Sequence, residues 1–298
     1  MPTPILSIDN VSHWFGKNRV LHRLKFEILS GQIVALVGPS GCGKSTLLRA
    51  IVGTHPPKTG QVRITHNGST TVVSRPNRNC GIVYQRYSLF PHLTAQENVA
   101  YGLMVDQSSL LKRLFKRSLW KKLRKEHMEH AAHMLKKMQL EHALKKYPSE
   151  MSGGMCQRVA IAQALIMKPS LLLLDEPFGA LDEATREELQ RILLTLYAEN
   201  QKAIATQEAP PHTIIIVTHE INEAIFVSNR LIGLSQYWDW EAANEKECPG
   251  ATIVYDKSTP VFASEDPQDF LSFKGQKDEI LHAVFNPDYL QGHDEYIQ

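Results

Sequence analysis

One short segment limits the possible folds of this chain more than any other. GPSGCGKST, residues 38–46, follows the apolar run IVALV and precedes the helix-forming run LLRAIV. It fits the pattern GxxxxGK[ST], whose glycines let backbone N–H groups turn towards an oxyanion at a helix N-terminus. This order of strand, loop and helix predicts a phosphate-binding loop in an α/β fold. The predicted phosphate-binding residues are Gly38, Pro39, Ser40, Gly41, Cys42, Gly43, Lys44, Ser45 and Thr46.

Two side chains of this loop and two carboxylates elsewhere predict a hydrolytic site. Lys44 offers a positive charge to the β- and γ-phosphates of a nucleotide, and Ser45 offers a hydroxyl to Mg²⁺. A second apolar run, LLLLDEP, ends in Asp175 and Glu176. Since α/β sheets bind ligands at the carboxyl ends of their strands, we expect Asp175 to hold Mg²⁺ and Glu176 to activate water. A helix N-cap pair is the structural alternative for these two carboxylates.

The hydrophobic pattern divides the chain into regions. ILSIDNVSHWF and RLKFEI alternate as half-exposed strands do, and VRITH, TVVSR and GIVYQ are further strand candidates. Residues 95 to about 140 have a helical pattern. LLLLDEP and TIIIVTH are short apolar runs typical of a buried parallel sheet, and ALDEATREELQRILLTLYAE between them predicts an amphipathic helix. The pattern predicts a loop over residues 201–212 and a surface linker over residues 237–250.

A third motif makes the resemblance specific. MSGGMCQRVAIAQAL, residues 151–165, resembles the signature of the ATP-binding cassette (ABC) ATPase family. Ser152, Gly153 and Gly154 precede a helix expected to start near Cys156, which makes a second anion-binding helix end. The resemblance implies a head-to-tail homodimer, in which ATP on the phosphate loop of one subunit is covered by Ser152, Gly153 and Gly154 of the other.

Further family elements follow in the expected order. Gln85 matches the glutamine that contacts Mg²⁺ and responds to the membrane partner, and residues 179–182 (GALD) match the loop that crosses to the other subunit. His219 matches the histidine that contacts the γ-phosphate. Phe15 matches the aromatic residue that stacks on adenine, with Trp14 as a possible substitute and core packing as the structural alternative.

The resemblance, which covers roughly residues 5–235, implies a fold, a reaction and a domain division. The fold class is α/β, a P-loop NTPase (RecA-like) core with an antiparallel β subdomain and an inserted α-helical subdomain. The implied ATPase uses Glu176, His219, Lys44 and Gln85 in catalysis. ATP and Mg²⁺ are the implied substrate and cofactor, and the implied Mg²⁺ ligands are Ser45, Gln85 and Asp175. The predicted domains are 1–238 for the cassette, with a helical subdomain at about 95–168, and 239–298 for an acidic extension.

The resemblance also implies partners. Met155, where glutamine is commonest, is typical of importer cassettes of the nitrate, sulfonate and taurine type and of some polyamine cassettes. This favours import of a small anion or organic solute through separate transmembrane permease subunits, with a solute-binding protein, at the cytoplasmic face of the inner or plasma membrane. A cassette for lipid trafficking or export, and a soluble ABC ATPase acting on ribosomes or DNA, are the alternatives.

The charge distribution is uneven. Residues 239–298 contain 13 acidic and 4 basic residues, a net of −9, so residues 1–238 carry +11 of the total of +2. Eight of the fourteen residues from Lys112 to Lys125 are basic and none is acidic. This basic insertion at 108–127 lies within the expected helical subdomain, and three interpretations remain open. It is a solvated helix, a contact for anionic lipid or the membrane subunit, or a docking site for another protein. Nucleic acid is not the expected partner.

Overall fold

The computed structural model describes residues 4–107, 117–179, 181–241, 247–263 and 273–288. The strands are β1 Pro4–Phe15, β2 Asn18–Leu29, β3 Ile33–Val37, β4 Thr59–His66, β5 Ser69–Val72, β6 Cys80–Val83, β7 Leu171–Asp175, β8 Ile214–Val217, β9 Arg230–Ser235 and β10 Thr252–Ser258. The helices are α1 Lys44–Val52, α2 Ala95–Gln107, α3 Arg117–Lys137, α4 Gly153–Leu165, α5 Glu183–Ala205, α6 Ile221–Val227 and α7 Lys274–Ile280. Short turns of helix cover Glu141–Ala143, Pro148–Glu150 and Leu281–Phe285.

The N-terminal strands form an antiparallel sheet in the order β2-β1-β4-β5. Along β2 the burial alternates, because every second side chain, such as Leu24, Phe26 and Ile28, faces the core. The predicted strands are confirmed here, except that TVVSR is paired only as far as Val72. Val73 follows the strand as a buried residue, and its N–H binds the carbonyl of Val62.

The second sheet has the order β10-β9-β3-β8-β7-β6. Its six strands form five neighbouring pairs, of which four are parallel and one, β10 with β9, is antiparallel. All residues of β3 and β8 are buried, as expected for strands covered on both faces. Because β3, β7 and β8 are parallel, the loops that follow them meet at one edge of the sheet. Together with the antiparallel sheet, this confirms the predicted α/β class.

The helical region lies between β6 and β7. Helices α2, α3 and α4 pack around one apolar cluster that includes Val99, Leu135 and Val159. The helical pattern predicted from residue 95 onward is therefore confirmed for α2 and α3, and residues 108–116 of the basic insertion lie outside the described residues. In the parts of the chain that the structure describes, no helix combines the length and the apolar character that crossing a membrane requires.

The prediction of a loop over residues 201–212 is wrong for residues 201–205, which are helical. Helix α5 continues to Ala205, because Gln201, Lys202 and Ala203 are good helix formers and the first proline comes only at position 210. The helix ends at Thr206, whose N–H binds the carbonyl of Lys202, and the N–H of Gln207 then binds the carbonyl of Ile204. The five residues QKAIA are too few to show a helical period by themselves, although they belong to the helix.

The prediction of a surface linker over residues 237–250 is also wrong in part, because Trp238, Pro249 and Gly250 are buried. Trp238 is buried, its indole N–H donates to the carbonyl of Gly250 at 3.0 Å, and its ring stacks on His22 at 5.5 Å. It belongs to a cluster with Tyr255 of β10 and Val284. Strand β10 contributes Val254 and Tyr255 to this cluster, so the start of the extension is anchored in an apolar core.

Asn200 closes the loop between α5 and β8. Its side chain is fully buried, donates to the carbonyls of Gly31 (2.9 Å) and His212 (2.7 Å), and accepts from the N–H of His212 (3.0 Å). We expect Asn200→Ala to lower the free energy of unfolding by about 2–4 kcal/mol, because buried backbone groups lose their partners. Chemical denaturation measures this loss. Lys202→Ala, at an exposed position of the same helix, is the control, and equal effects of the two substitutions would contradict the assignment.

Candidate functional site

The predicted phosphate loop joins β3 to α1 in a conformation that depends on glycine. A Cβ on Gly38 would lie 2.1 Å from the carbonyl oxygen of Leu234, so only glycine permits this close backbone approach. Gly43 has a φ of +104°, which other residues rarely adopt, and it occupies the N-cap position of α1 without a side-chain cap. The N–H groups of the first turn of α1 are therefore available to an anion.

Lys44 lies inside the loop. Its ammonium donates to the carbonyl of Gly38 at 2.7 Å and to that of Pro39 at 2.9 Å, and the side chain is buried. The loop thus wraps around the charge that the sequence predicts for phosphate binding. A phosphate in the loop would add an anionic partner to a cation that is already held in place.

The carboxylate of Glu176 lies between the side chains of Gln85 and His219. One of its oxygens accepts from Nε2 of Gln85 at 3.0 Å, and the other lies 3.4 Å from Nδ1 of His219. Its backbone has a φ of +46°, an uncommon conformation for a residue other than glycine and one that is often found at functional sites. The structure thus brings together three residues that are predicted to be catalytic and that lie far apart in the sequence.

Asp175 ends β7 next to Glu176. Burial, followed by the neighbouring Glu176, raises the pKa of its carboxyl group, while Arg49 and Lys44 lower it. This carboxylate is therefore only partly compensated by protein cations. Ser45, Gln85 and Asp175 together offer hydroxyl, amide and carboxylate oxygens, the hard donors that Mg²⁺ prefers, so the donor set fits this ion. In the described ranges, no group of three or more His, Cys, Asp or Glu residues has a geometry that could hold a metal ion.

A cavity of about 860 Å³ joins these elements. It is lined by residues of the phosphate loop together with Glu176, His219, Val20 and Phe285. Phe15, predicted to stack on adenine, lies at the end of β1 with 45% of its surface exposed and contacts the rings of His13 and His55. In the described structure, Phe15 is not part of this cavity lining. Its role in adenine binding stays a prediction.

Phe285 was missed by the sequence reasoning. It ends the turn Leu281–Phe285, which packs on β9 at Gly233, where a Cβ would lie 2.4 Å from Val284. Gly233 pairs with Val37, the last residue before the phosphate loop. No local pattern around Phe285 predicts this placement, because it depends on how the extension packs against the sheet.

The signature motif forms a separate helix end. Helix α4 starts at Gly153 rather than near Cys156, because Ser152 is the N-cap and its hydroxyl accepts from the N–H of Met155 at 3.3 Å. Within the described chain, Ser152, Gly153 and Gly154 do not line the phosphate-loop cavity. The protein therefore has two distinct helix N-termini suited to anions, one at each motif.

Fold and site together define a P-loop nucleotide-binding protein with a cassette architecture. The sequence pattern of the family described as "ABC transporter" matches residues 21–179. This chain belongs to that family.

Several curated relatives are similar over most of the chain. Sulfate/thiosulfate import ATP-binding protein CysA of Pectobacterium atrosepticum is 40% identical over 76% of this chain and 62% of its own length. Aliphatic sulfonates import ATP-binding protein SsuB of Bacillus cereus is 39% identical over 77% of this chain and 81% of its own. Nitrate transport protein NasD of Klebsiella oxytoca is 41% identical over 77% and 79%. The chain spans about three fifths of the length of the CysA relatives.

Solved structures agree with the fold. A dimeric ATP-binding cassette in a post-hydrolysis state, bound to ADP and phosphate, has a TM-score of 0.62 and 27% identity, and the alignment covers 86% of this chain and 100% of that one. A nucleotide-free cassette from an ABC transporter has a TM-score of 0.66 at 20% identity, over 96% and 97% of the two chains. The second similarity concerns the fold alone.

The two glycines of the signature differ in the space around them. A Cβ on Gly154 would lie 1.9 Å from Cγ2 of Thr185, a stiff side chain on α5, whereas a Cβ on Gly153 would meet only Oη of Tyr87 at 3.9 Å. We expect Gly154→Ala to lower the free energy of unfolding by about 1–3 kcal/mol through overpacking. Gly153→Ala is the matched control and should leave it nearly unchanged. Denaturation midpoints compare the two, and a similar loss in both would show that this packing is not the cause.

Proposed function

We propose that this chain is the ATP-binding and ATP-hydrolysing subunit of an ABC importer for a small anion or organic solute. The observation that carries the proposal is the carboxylate of Glu176, which lies between Gln85 and His219 at the cavity of the phosphate loop. Hydrolysis of ATP to ADP and phosphate needs a base beside the bound phosphates, and the position of this carboxylate supports that role for Glu176.

The residues divide the work of the reaction. Lys44 and the N–H groups of the loop hold the phosphates, and His219 keeps the terminal phosphoryl group in place. Ser45, Gln85 and Asp175 would hold Mg²⁺, which when bound neutralises charge on the phosphates. Glu176 accepts the proton of the attacking water, which forms the new bond to phosphorus as the bond to ADP breaks.

The second helix end supports a dimer as the working state. Ser152 and the first turn of α4 form an anion site away from the phosphate loop of the same chain, so a head-to-tail homodimer would enclose each ATP between the two. Phe15 would face adenine. Closing and opening of this dimer would be the motion that drives transport. We assign residues 1–238 to the cassette and 239–298 to an extension.

The solute and the partners are inferred from similar proteins and from one groove. Three relatives are named for import or transport of sulfate, aliphatic sulfonates and nitrate, all of which carry a compact oxyanion. A groove of about 350 Å³ between β6 and α4 exposes Tyr84 and Tyr87 beside Met167, which suits a helix of a membrane subunit. We propose separate permease subunits and a solute-binding protein, with the chain at the cytoplasmic face of the membrane.

The basic insertion is proposed to contact anionic lipid. On its described part, in α3, Lys121, Lys122, Arg124 and Lys125 are exposed. Two of them have acidic neighbours, since Arg124 lies 3.3 Å from Glu97 and Lys125 lies 3.8 Å from Glu129. Lys121 and Lys122 add further positive charge, which would attract an anionic surface.

The assignment of Glu176 as the base can be tested directly. Glu176→Gln keeps the shape of the side chain but removes the base, so we expect ATP binding to persist while kcat falls about 100-fold or more. Nucleotide titration and phosphate release measure the two effects. Glu187→Gln, at an exposed position of α5, is the control. Hydrolysis at the wild-type rate by Glu176→Gln would refute the assignment.

The lipid contact can be tested with vesicles. Replacing Lys121, Lys122, Arg124 and Lys125 by Gln should weaken binding to phosphatidylglycerol-containing vesicles by about tenfold or more, since each basic residue near such a surface contributes about 1 kcal/mol. Sedimentation with the vesicles measures the change, and pure phosphatidylcholine vesicles show the uncharged background.

A second variant controls for net charge in the vesicle experiment. Replacing the exposed Lys17, Lys58, Lys168 and Lys202 by Gln removes the same number of charges elsewhere. It should bind the anionic vesicles more tightly than the α3 variant does. Equal binding by the two variants would mean that the position of the basic residues is irrelevant and that the insertion is only solvated.

A further inference from the structure

An ion pair connects two segments that flank Glu176. Nε of Arg186, on the first turn of α5, lies 3.1 Å from Oε1 of Glu223 on α6. The same guanidinium donates through Nη2 to the carbonyl of Leu181 at 3.3 Å. One side chain therefore contacts both the loop that follows Glu176 and the helix that follows His219.

Both members of this pair lie close in the chain to the two residues proposed to react, Glu176 and His219. Glu223 lies one helical turn beyond His219, in the helix that starts at Ile221. Leu181 lies in the segment that connects Glu176 to α5, which starts behind the N-cap Asp182. Nδ1 of His219 is 3.4 Å from the carboxylate of Glu176. A shift of α6 against α5 would therefore change this distance.

The pair is poorly suited to a purely structural role. The side chain of Glu223 is only 9% exposed, and in the part of the chain that the structure describes neither its Oε2 nor Nε of Arg186 has a partner with hydrogen-bond geometry, so the contact is an ion pair. The side chain of Arg186 is 33% exposed and also lies 2.9 Å from Glu183, so Glu223 is the more deeply buried member of the pair. An ion pair with a buried member usually stabilises a protein less than apolar residues of the same size would. Stability alone therefore does not explain this contact. Its position between the segments that contain Glu176 and His219 suggests a role in holding these segments together.

We propose that Arg186 and Glu223 form a clasp that holds His219 in register with Glu176 and so sets the rate of hydrolysis rather than the affinity for ATP. The inference rests on the proposed function. Both are positioning residues, since neither lines the cavity of the phosphate loop within the described structure. Lys44, which would hold the nucleotide, donates to the carbonyls of Gly38 and Pro39 and is a separate part of the site.

The clasp has a dependence on pH. Burial raises the pKa of Glu223 to about 7, against the opposing effect of Arg186. The other charged groups near it are Glu220, His219 and Glu183, and the two glutamates also raise the pKa. Because the folded pKa lies above the ordinary value of 4.5, the stability falls as pH rises from about 4.5 to about 7, and the full cost is present above pH 7. Ionisation of the folded protein near pH 7 also completes the clasp.

Because ionised Glu223 lowers the stability but is needed for the clasp, a positioning role and a structural role predict different effects of removing its charge. Replacing Glu223 by Gln removes the buried charge, so at pH 8 the Tm of Glu223→Gln should equal or exceed that of the wild type. The kcat for ATP hydrolysis should nevertheless fall about tenfold, with KM for ATP within about twofold, because the lost interaction affects only the reacting geometry.

A double-mutant cycle tests the proposal. Arg186→Met, Glu223→Gln and the double variant are compared with the wild type for kcat, KM and Tm between pH 6 and pH 8.5. We expect the double variant to have nearly the same kcat as Glu223→Gln, because the pair acts as a unit. We also expect the fall in wild-type kcat below about pH 7 to be reduced in Glu223→Gln.

The exposed pair of Arg191 and Glu187 on α5, with its atoms 4.0 Å apart, provides the matched control. Arg191→Met and Glu187→Gln should keep the wild-type kcat. Independent, additive losses in the cycle, a wild-type kcat in Glu223→Gln, or a fall of Tm in proportion to kcat would each overturn the clasp. Failure of the proposed function would look different, because the wild type itself would then not hydrolyse ATP.

Discussion

The parallel pairing of β3, β8 and β7 is the constraint on which the rest of the structure depends. These three strands end at one edge of the sheet, where β3 leads into the phosphate loop, β8 leads to His219, and β7 ends at Asp175 just before Glu176. Their hydrogen-bond register leaves little freedom for the loops. Glu176 shows this directly, since its N–H binds the carbonyl of Val217 in the neighbouring strand. The backbone ladder thus fixes where the segments that contain Glu176 and His219 leave the sheet, and side-chain contacts complete the arrangement.

Much of this edge could be predicted from sequence, for a physical reason. Buried parallel strands are short apolar runs, and the polar residues that end them are visible as abrupt changes, as in LLLLDEP and TIIIVTH. The loop between residues 38 and 46 needs glycines at positions such as Gly38 and Gly43, so the pattern itself encodes the backbone shape. The contact of Gln85 with Glu176 was harder to predict from the sequence, because it joins residues separated by 91 positions.

What could not be predicted depends on tertiary packing. Asn200 is an ordinary polar residue of a helix in the sequence, and only the fold shows that it satisfies the backbone of Gly31 and His212. Trp238 stands among polar residues typical of a linker, yet it is buried against His22. Arg186 and Glu223 belong to helical patterns in which a charged residue usually faces solvent. In each case the partner lies in another element, where local periodicity contains no information.

The extension shares a core with the site. Val37 before the phosphate loop, Ile221 and Ile225 of α6, and Tyr255 and Val284 of the extension belong to one apolar cluster. Residues that share a core tend to unfold together. The cassette and the start of its extension are therefore one cooperative unit rather than two interchangeable modules. Exchanging the extension between related proteins would mean redesigning the interior beside the phosphate loop, whereas a swap at an exposed linker would leave it intact.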